Sequence, residues 1–198
     1  MVFGIIPSFA QGDKSTYECD GLFKGGKKPT VEQLEQIFQE HTKWIESEEK
    51  EGTRAKLCGA NLTKAHLSMA HLTKADLTKA NLTKADLFKA NLTKADLTKA
   101  NLTKAYLIKA DLTKADLTKA NLTKAYLFKA NLTKADLTKA NLSKAELRGA
   151  NLSKANLAGA TLTNVKNLIQ SQLNQACVDE DTTLPEGLTR PAPCGEEE

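Results

Sequence analysis

Aromatic side chains are scarce in this chain of 198 residues, at 5% of its composition. Aromatics normally supply much of the buried area of a globular core, so their scarcity argues against a conventional one. No apolar run approaches the roughly 18 residues that span a bilayer. There is no Gly-rich phosphate loop, no nucleophile elbow and no His-Glu-x-x-His motif, so the recognisable signatures of enzyme chemistry are missing. The four cysteines, Cys19, Cys58, Cys177 and Cys194, contain no Cys-x-x-Cys pair, which argues against a zinc ribbon or a redox motif.

Residues 1–10 are apolar, and Ser8 and Ala10 sit at the spacing a signal peptidase prefers, yet no Lys or Arg precedes the run. Two readings stand: the stump of a signal peptide whose start lies upstream, or an irregular apolar N-terminus. The compartment is therefore open between cytoplasmic and periplasmic or secreted. In an exported protein Cys177 with Cys194 would staple the C-terminal tail, and Cys19 could reach Cys58. In a cytosolic one all four would be free thiols.

What is present is a repeat. Ala recurs at every fifth position from Ala55 to Ala160, and Leu at every fifth position from Leu57 to Leu162, without exception. That makes twenty-two copies of a unit such as Ala80-Asn81-Leu82-Thr83-Lys84. A period of five fits neither a helix nor a strand. It requires a backbone that turns after each unit and brings Leu back inside, with Ala beside it and the polar residues in water. Asn and Asp suit such turns because their side chains bond nearby backbone groups.

The departures from the consensus indicate the length of one coil. Phe88, Ile108 and Phe128 replace Thr twenty residues apart, and Tyr106 and Tyr126 replace Asn or Asp twenty apart. Four units per coil would stack each departure on the last, and duplication of a twenty-residue segment would preserve the same stack.

The run of Ala-(Asn/Asp)-Leu-x-x units resembles the pentapeptide repeat family, over about 110 of the 198 residues. The resemblance implies an all-β solenoid, a right-handed quadrilateral β-helix of about five and a half coils with Leu and Ala pointing inward. At roughly 4.8 Å per layer it would be about 26 Å long.

The domain organisation expected is an N-terminal segment over 1–29, a capping helix within 30–54, the repeats over 55–164, a short C-terminal helix within 165–177 and an irregular acidic tail over 178–198. Thr30-Val31-Glu32-Gln33 is a capping box that opens a helix over about 31–48. Val31, Leu34, Ile37, Phe38, Trp44 and Ile45 form its apolar side, and His41 is expected near its surface. The second helix is expected over about 167–176. The ends need such caps because a coil end exposes apolar edges and unpaired backbone.

Charge is segregated. The repeats hold nineteen Lys and Arg against seven Asp and Glu, a net +12, while the flanks carry a net −8. Some family members mimic acidic duplex DNA and bind gyrase, a role the basic repeats argue against. Lys columns could attract nucleic acid or another polyanion, although the default reading of such columns is a solvated surface of long flexible side chains. The more specific feature is the outward apolar set Phe88, Tyr106, Ile108, Tyr126 and Phe128, all on one side. Such a strip marks a contact with another protein, with a second copy of the chain, or with the chain's own tail around Leu184 to Pro193. His66 and His71 point outward as solvated side chains, and Asp76, Asp96, Asp116 and Asp136 form a column neutralised by neighbouring Lys. No cofactor and no metal are expected. The resulting expectation is a non-enzymatic scaffold, monomeric or dimeric, with an unidentified protein partner.

Overall fold

The computed structural model describes residue 19 and residues 22–191. Helix α1 runs from Val31 to Glu46 and helix α2 from Gln170 to Leu173. The possible signal-peptide remnant at 1–10, Cys194 and the last glutamates lie outside the described residues.

The expectation of an all-β solenoid, and of a β-helix in particular, is corrected. Among the described residues there is no β-strand, sheet or barrel, and the two helices are the only named elements. The repeats form isolated, single-residue parallel bridges between positions twenty apart, as in Asp76↔Asp96↔Asp116↔Asp136.

The reason lies within each unit. The Asn or Asp that makes the bridge also closes a turn, its Oδ1 accepting the N–H two residues on, as Asp96 does from Thr98 at 2.9 Å. The Leu carbonyl then accepts the N–H of the next unit's Ala, as in Ala80 N–H to Leu77 O at 3.0 Å. Between them the last residue of the unit swings into the left-handed region, with φ near 58° at Lys104 and Lys114. An extended stretch therefore ends before a second bridging residue can follow. Gly59, Gly149 and Gly159 occupy this same register, where a residue without Cβ takes positive φ at no steric cost.

The bridges and the N–H groups next to them hold the layers together. Leu77 N–H reaches Asp96 O at 2.8 Å, and Lys79 N–H reaches Thr98 O at 2.9 Å. The Leu ladder from Leu57 to Leu162 is sealed, each side chain being no more than 1% exposed. The Ala ladder beside it is buried too, except at Ala65 and Ala70, which are only partly covered.

At the N-terminal end, α1 lies against the first coil. Thr30 Oγ1 accepts the Gln33 N–H at 3.2 Å, and Gln33 Oε1 accepts the Thr30 N–H at 2.9 Å, completing the capping box. Leu34, Ile37 and Phe38 pack on the core. Val31, expected with them, is 67% exposed at the mouth of a cavity of about 400 Å³ between α1 and the first coil. The chain returns through Gly52, where an added Cβ would come within 2.8 Å of the Trp44 nitrogen, so only glycine allows so close a return. A disulfide joins Cys19 to Cys58.

At the C-terminal end, α2 is shorter than the 167–176 expected. Its Gln172 Nε2 donates to the carbonyls of Leu147 and Ala150 at 2.9 and 2.7 Å, pairing the Ala150 oxygen where the stack ends and adding to the Ala150 N–H bond that Leu147 already accepts. Cys177 bridges to Asn156 and Thr183 to Thr161, extending two sides of the coil. Thr182, 2% exposed, donates its hydroxyl to Leu157 O at 2.9 Å. Cys177 is disulfide-bonded; Cys194, its expected partner, lies outside the described residues.

Candidate interaction surface

One of the four sides differs from the others. Its bridging column reads His66, Asp86, Tyr106, Tyr126, Glu146 and Lys166. Two residues further along, the same layers carry Ser68, Phe88, Ile108, Phe128, Arg148 and Leu168. The twenty-residue register thus stacks the five apolar side chains singled out in the sequence over three adjacent layers.

Tyr106 and Tyr126 bridge through their backbones and stack through their rings, with centroids 5.0 Å apart and planes 4° from parallel. They are 43% and 41% exposed, among the few large apolar side chains open to water. Phe88, Ile108 and Phe128 are half-buried. Lys89 Nζ lies 5.3 Å from the Phe88 ring centre, and Lys129 Nζ lies 5.3 Å from that of Phe128. The Arg148 guanidinium sits 5.2 Å from the Phe128 ring. These contacts draw on the negative face of each ring and hold cations along the strip.

The lower end of the strip is shaped by Glu146. Asn167 Nδ2 donates to both its carboxylate oxygens at 2.8 Å, and the Arg148 N–H donates to Oε1 at 3.2 Å. Two shallow grooves result. One of about 280 Å³ lies between Phe128, Glu146, Arg148 and Asn167. The other, of about 220 Å³, lies between Tyr126, Glu146 and three lysines, Lys124, Lys144 and Lys166. The described tail packs elsewhere: Leu184 and Leu188 lie against the end of the core, and Gln170 Oε1 accepts the Thr189 N–H at 2.9 Å.

The other candidates have plainer settings. The carboxylates of Asp76, Asp96 and Asp136 each accept the N–H two residues on, at 3.0, 2.9 and 2.9 Å, so they serve the turns. His66 and His71 are exposed. Among the described residues no group of three or more His, Cys, Asp or Glu could hold a metal ion. Nor is any helix there long and apolar enough to cross a membrane. His41 corrects its expectation: it is completely buried rather than near the surface. Its position between Phe38 and Trp44 on an amphipathic helix could have signalled this.

The model of the family described as pentapeptide repeats matches the chain in eight copies, over residues 53–93, 85–123, 125–166 and 140–178. Among solved structures, HetL is similar, a pentapeptide repeat protein involved in heterocyst differentiation regulation from the cyanobacterium Nostoc sp. strain PCC 7120. It is 35% identical, the match covering 64% of this chain and 60% of HetL, with a TM-score of 0.56. The chain thus spans less than two thirds of HetL's length. A pentapeptide repeat protein from the Arabidopsis thaliana thylakoid lumen is 32% identical, covering 59% of this chain and 73% of that one, with a TM-score of 0.35. Another from Nostoc PCC 7120 is 34% identical, covering 50% and 77%, with a TM-score of 0.31. No curated protein matches the chain. The repeat unit, its twenty-residue register and the family match over most of the chain lead to one conclusion: this chain is a member of the pentapeptide repeat family.

Proposed function

We propose that the protein is a binding scaffold that engages a protein partner through the side bearing Phe88, Tyr106, Ile108, Tyr126 and Phe128. The observation that carries this reading is the Tyr106–Tyr126 stack, exposed on a predominantly polar and charged surface. Rigid aromatics with polar tips give large contact area at small entropic cost, which is why Tyr and Trp concentrate in interfaces. The rim is cationic, with Lys124, Lys144 and Lys166 beside Tyr126 and Arg148 beside Phe128. The complementary partner presents apolar side chains flanked by carboxylates. A second copy of this chain would bring lysines against lysines, so self-association through this side is disfavoured. HetL's involvement in heterocyst differentiation regulation is in keeping with a binding rather than a chemical task.

A second reading has its own support. Lys64, Lys84, Lys104, Lys124 and Lys144 form one unbroken column, and Lys74, Lys94, Lys114, Lys134 and Lys154 another. Their charge makes a linear polyanion the alternative ligand. Gyrase binding by DNA mimicry is not proposed, because it needs the opposite sign of charge. The disulfide at Cys19–Cys58 supports an oxidising compartment as the place where the protein works.

The test is photocrosslinking from position 126 in extract of the source organism, with wild type, Phe128→Lys and a Lys104→Asn/Lys124→Asn variant. Asn tolerates the left-handed backbone of those lysines. A crosslink abolished by Phe128→Lys and kept by the lysine variant supports the apolar strip. A ligand lost with the lysines, and eluted from wild type by moderate salt, transfers the function to the polyanion reading. Analytical ultracentrifugation that finds a wild-type dimer broken by Phe128→Lys would replace the partner by a second copy.

A further inference from the structure

We propose that His41 is the pin of an acid-released cap: when its imidazole takes up a proton, helix α1 lifts from the first coil and uncovers the apolar end of the stack. His41 is 0% exposed, at the point where α1 hands over to the repeats. Its Nδ1 accepts the N–H of Ala55, the first residue of the first coil, at 3.1 Å. That assigns the proton of the neutral ring to Nε2, which is buried and makes no hydrogen bond. A second proton must go to Nδ1, where it meets the Ala55 N–H. Two donors then face each other, and the link between helix and coil is lost. The nearby Thr53 N–H to Glu40 O bond, at 3.2 Å, ties α1 itself to the chain that follows, while the Asn61 N–H to Lys27 O bond, at 2.9 Å, and the Cys19–Cys58 disulfide anchor the segment before α1 to the first coil.

The surrounding charges do not relieve the new cation. Arg54, held by Nε on the Lys74 carbonyl at 2.5 Å, repels it. Lys74 lies 5.9 Å from the Trp44 ring centre and is paired with Glu49. On α1, Glu40 is paired with Lys43 at 2.8 Å. Burial disfavours the proton most, and the nearby Thr73 backbone, which makes no full hydrogen bond to the ring, favours it less, so the imidazole is held below its ordinary value. A depressed value makes closure fully stable above the ordinary imidazole range, about 6.5, and weaker as pH falls below it.

Trp44, the only tryptophan in the chain, stacks on His41 with ring centroids 5.6 Å apart, so its emission reports the joint directly. The experiment follows Trp44 emission and amide hydrogen exchange of residues 31–46 from pH 7.5 to 5.0, with disulfides intact and exchange corrected for intrinsic rate. The open fraction should rise by up to tenfold for each pH unit below about 6.5, while the amides of Leu107 and Leu117 stay protected. His41→Asn, whose Oδ1 can accept from Ala55 without titrating, should remove the response. His66→Asn/His71→Asn should keep it. A wild type whose α1 exchange and Trp44 emission are the same at both pH values overturns the proposal, as does a His41→Asn variant that keeps the response. If His41→Asn does not fold, the wild-type His41 ring is titrated by NMR: protonation near 6.5 with α1 still protected overturns it equally.

Discussion

The Tyr126 ring lies flat on that of Tyr106, 5.0 Å away and 4° from parallel, while the backbones of the same two residues pair in adjacent layers. The stack is thus a side-chain ladder built on a backbone ladder. In a double-mutant cycle of Tyr106→Ala and Tyr126→Ala, the coupling should be about 0.5–1 kcal/mol, the range of aromatic cross-strand pairs. Additive losses in urea denaturation would show that the rings merely lie side by side.

Leu107 is wholly buried in the middle of the stack, between Leu87 and Leu127 of the neighbouring layers. Leu107→Ala should cost about 2–5 kcal/mol. Leu107→Lys should separate the stack into two parts that unfold at different urea concentrations, since each layer is held only by its neighbours. A single transition at the wild-type midpoint would contradict the inward ladder.

Lys114 has φ 58°. A left-handed backbone costs an L-residue about 1–2 kcal/mol, and a β-branched side chain tolerates it worst. Lys114 already bears that cost, so Lys114→Val should lose only the further strain of its β-branch, on the order of 1 kcal/mol. Lys114→Gly should stay within about 1 kcal/mol of wild type, because relief of strain is offset by glycine's larger entropy loss. Equal stabilities of the two variants by thermal denaturation would argue that the corner carries no strain.

The Cys19–Cys58 disulfide spans a sequence separation of 39. By loop-closure entropy its removal should cost about 4 kcal/mol. Cys58→Ser should lower the melting temperature, and reductant should lower that of wild type toward the same value. Reductant added to the variant reports any share due to Cys177.

Acid should loosen the C-terminal end by a route separate from His41. Asp179 accepts the Gly159 N–H at 2.8 Å and the Thr182 hydroxyl at 2.7 Å, which hold its carboxyl below the ordinary range. A depressed carboxyl contributes stability above its unfolded value, about 3.9, and loses it as pH falls through the folded one. Hydrogen exchange at residues 177–184 should accelerate only below about pH 4 in wild type, and Asp179→Asn should show little of that dependence. In the His41→Asn background, a Trp44 signal accompanying the change would assign it to the wrong end.

Much was legible from residue types alone. Ala at one position and Leu two further on, repeated every five residues, dictate an interior too narrow for anything larger than Leu beside Ala. The spacing of Phe88, Ile108, Phe128, Tyr106 and Tyr126 places them on one side of any twenty-residue coil. Thr30 and Gln33 mark the start of α1 because the hydrogen bonds they make are local.

Backbone conformation at the corners was not legible in the same way. Lysine has no preference for positive φ, so its recurrence reads as charge and solubility; only Gly59, Gly149, Gly159 and Asn164 in the same register hint at the left-handed turn. That turn confines each unit to one bridging residue and explains why extended strands do not form. The hydrogen bond made by His41 was equally hidden, although the helix pattern could have signalled its burial, because the bond depends on where the Ala55 N–H falls, fourteen residues later in the chain. A five-residue period determines the interior and the stacking register by itself, since both follow from short-range repetition. The hydrogen bond of His41 to the first coil and the exposure of the Tyr106–Tyr126 stack were decided only when distant segments met, because each depends on which groups remain to be paired or covered.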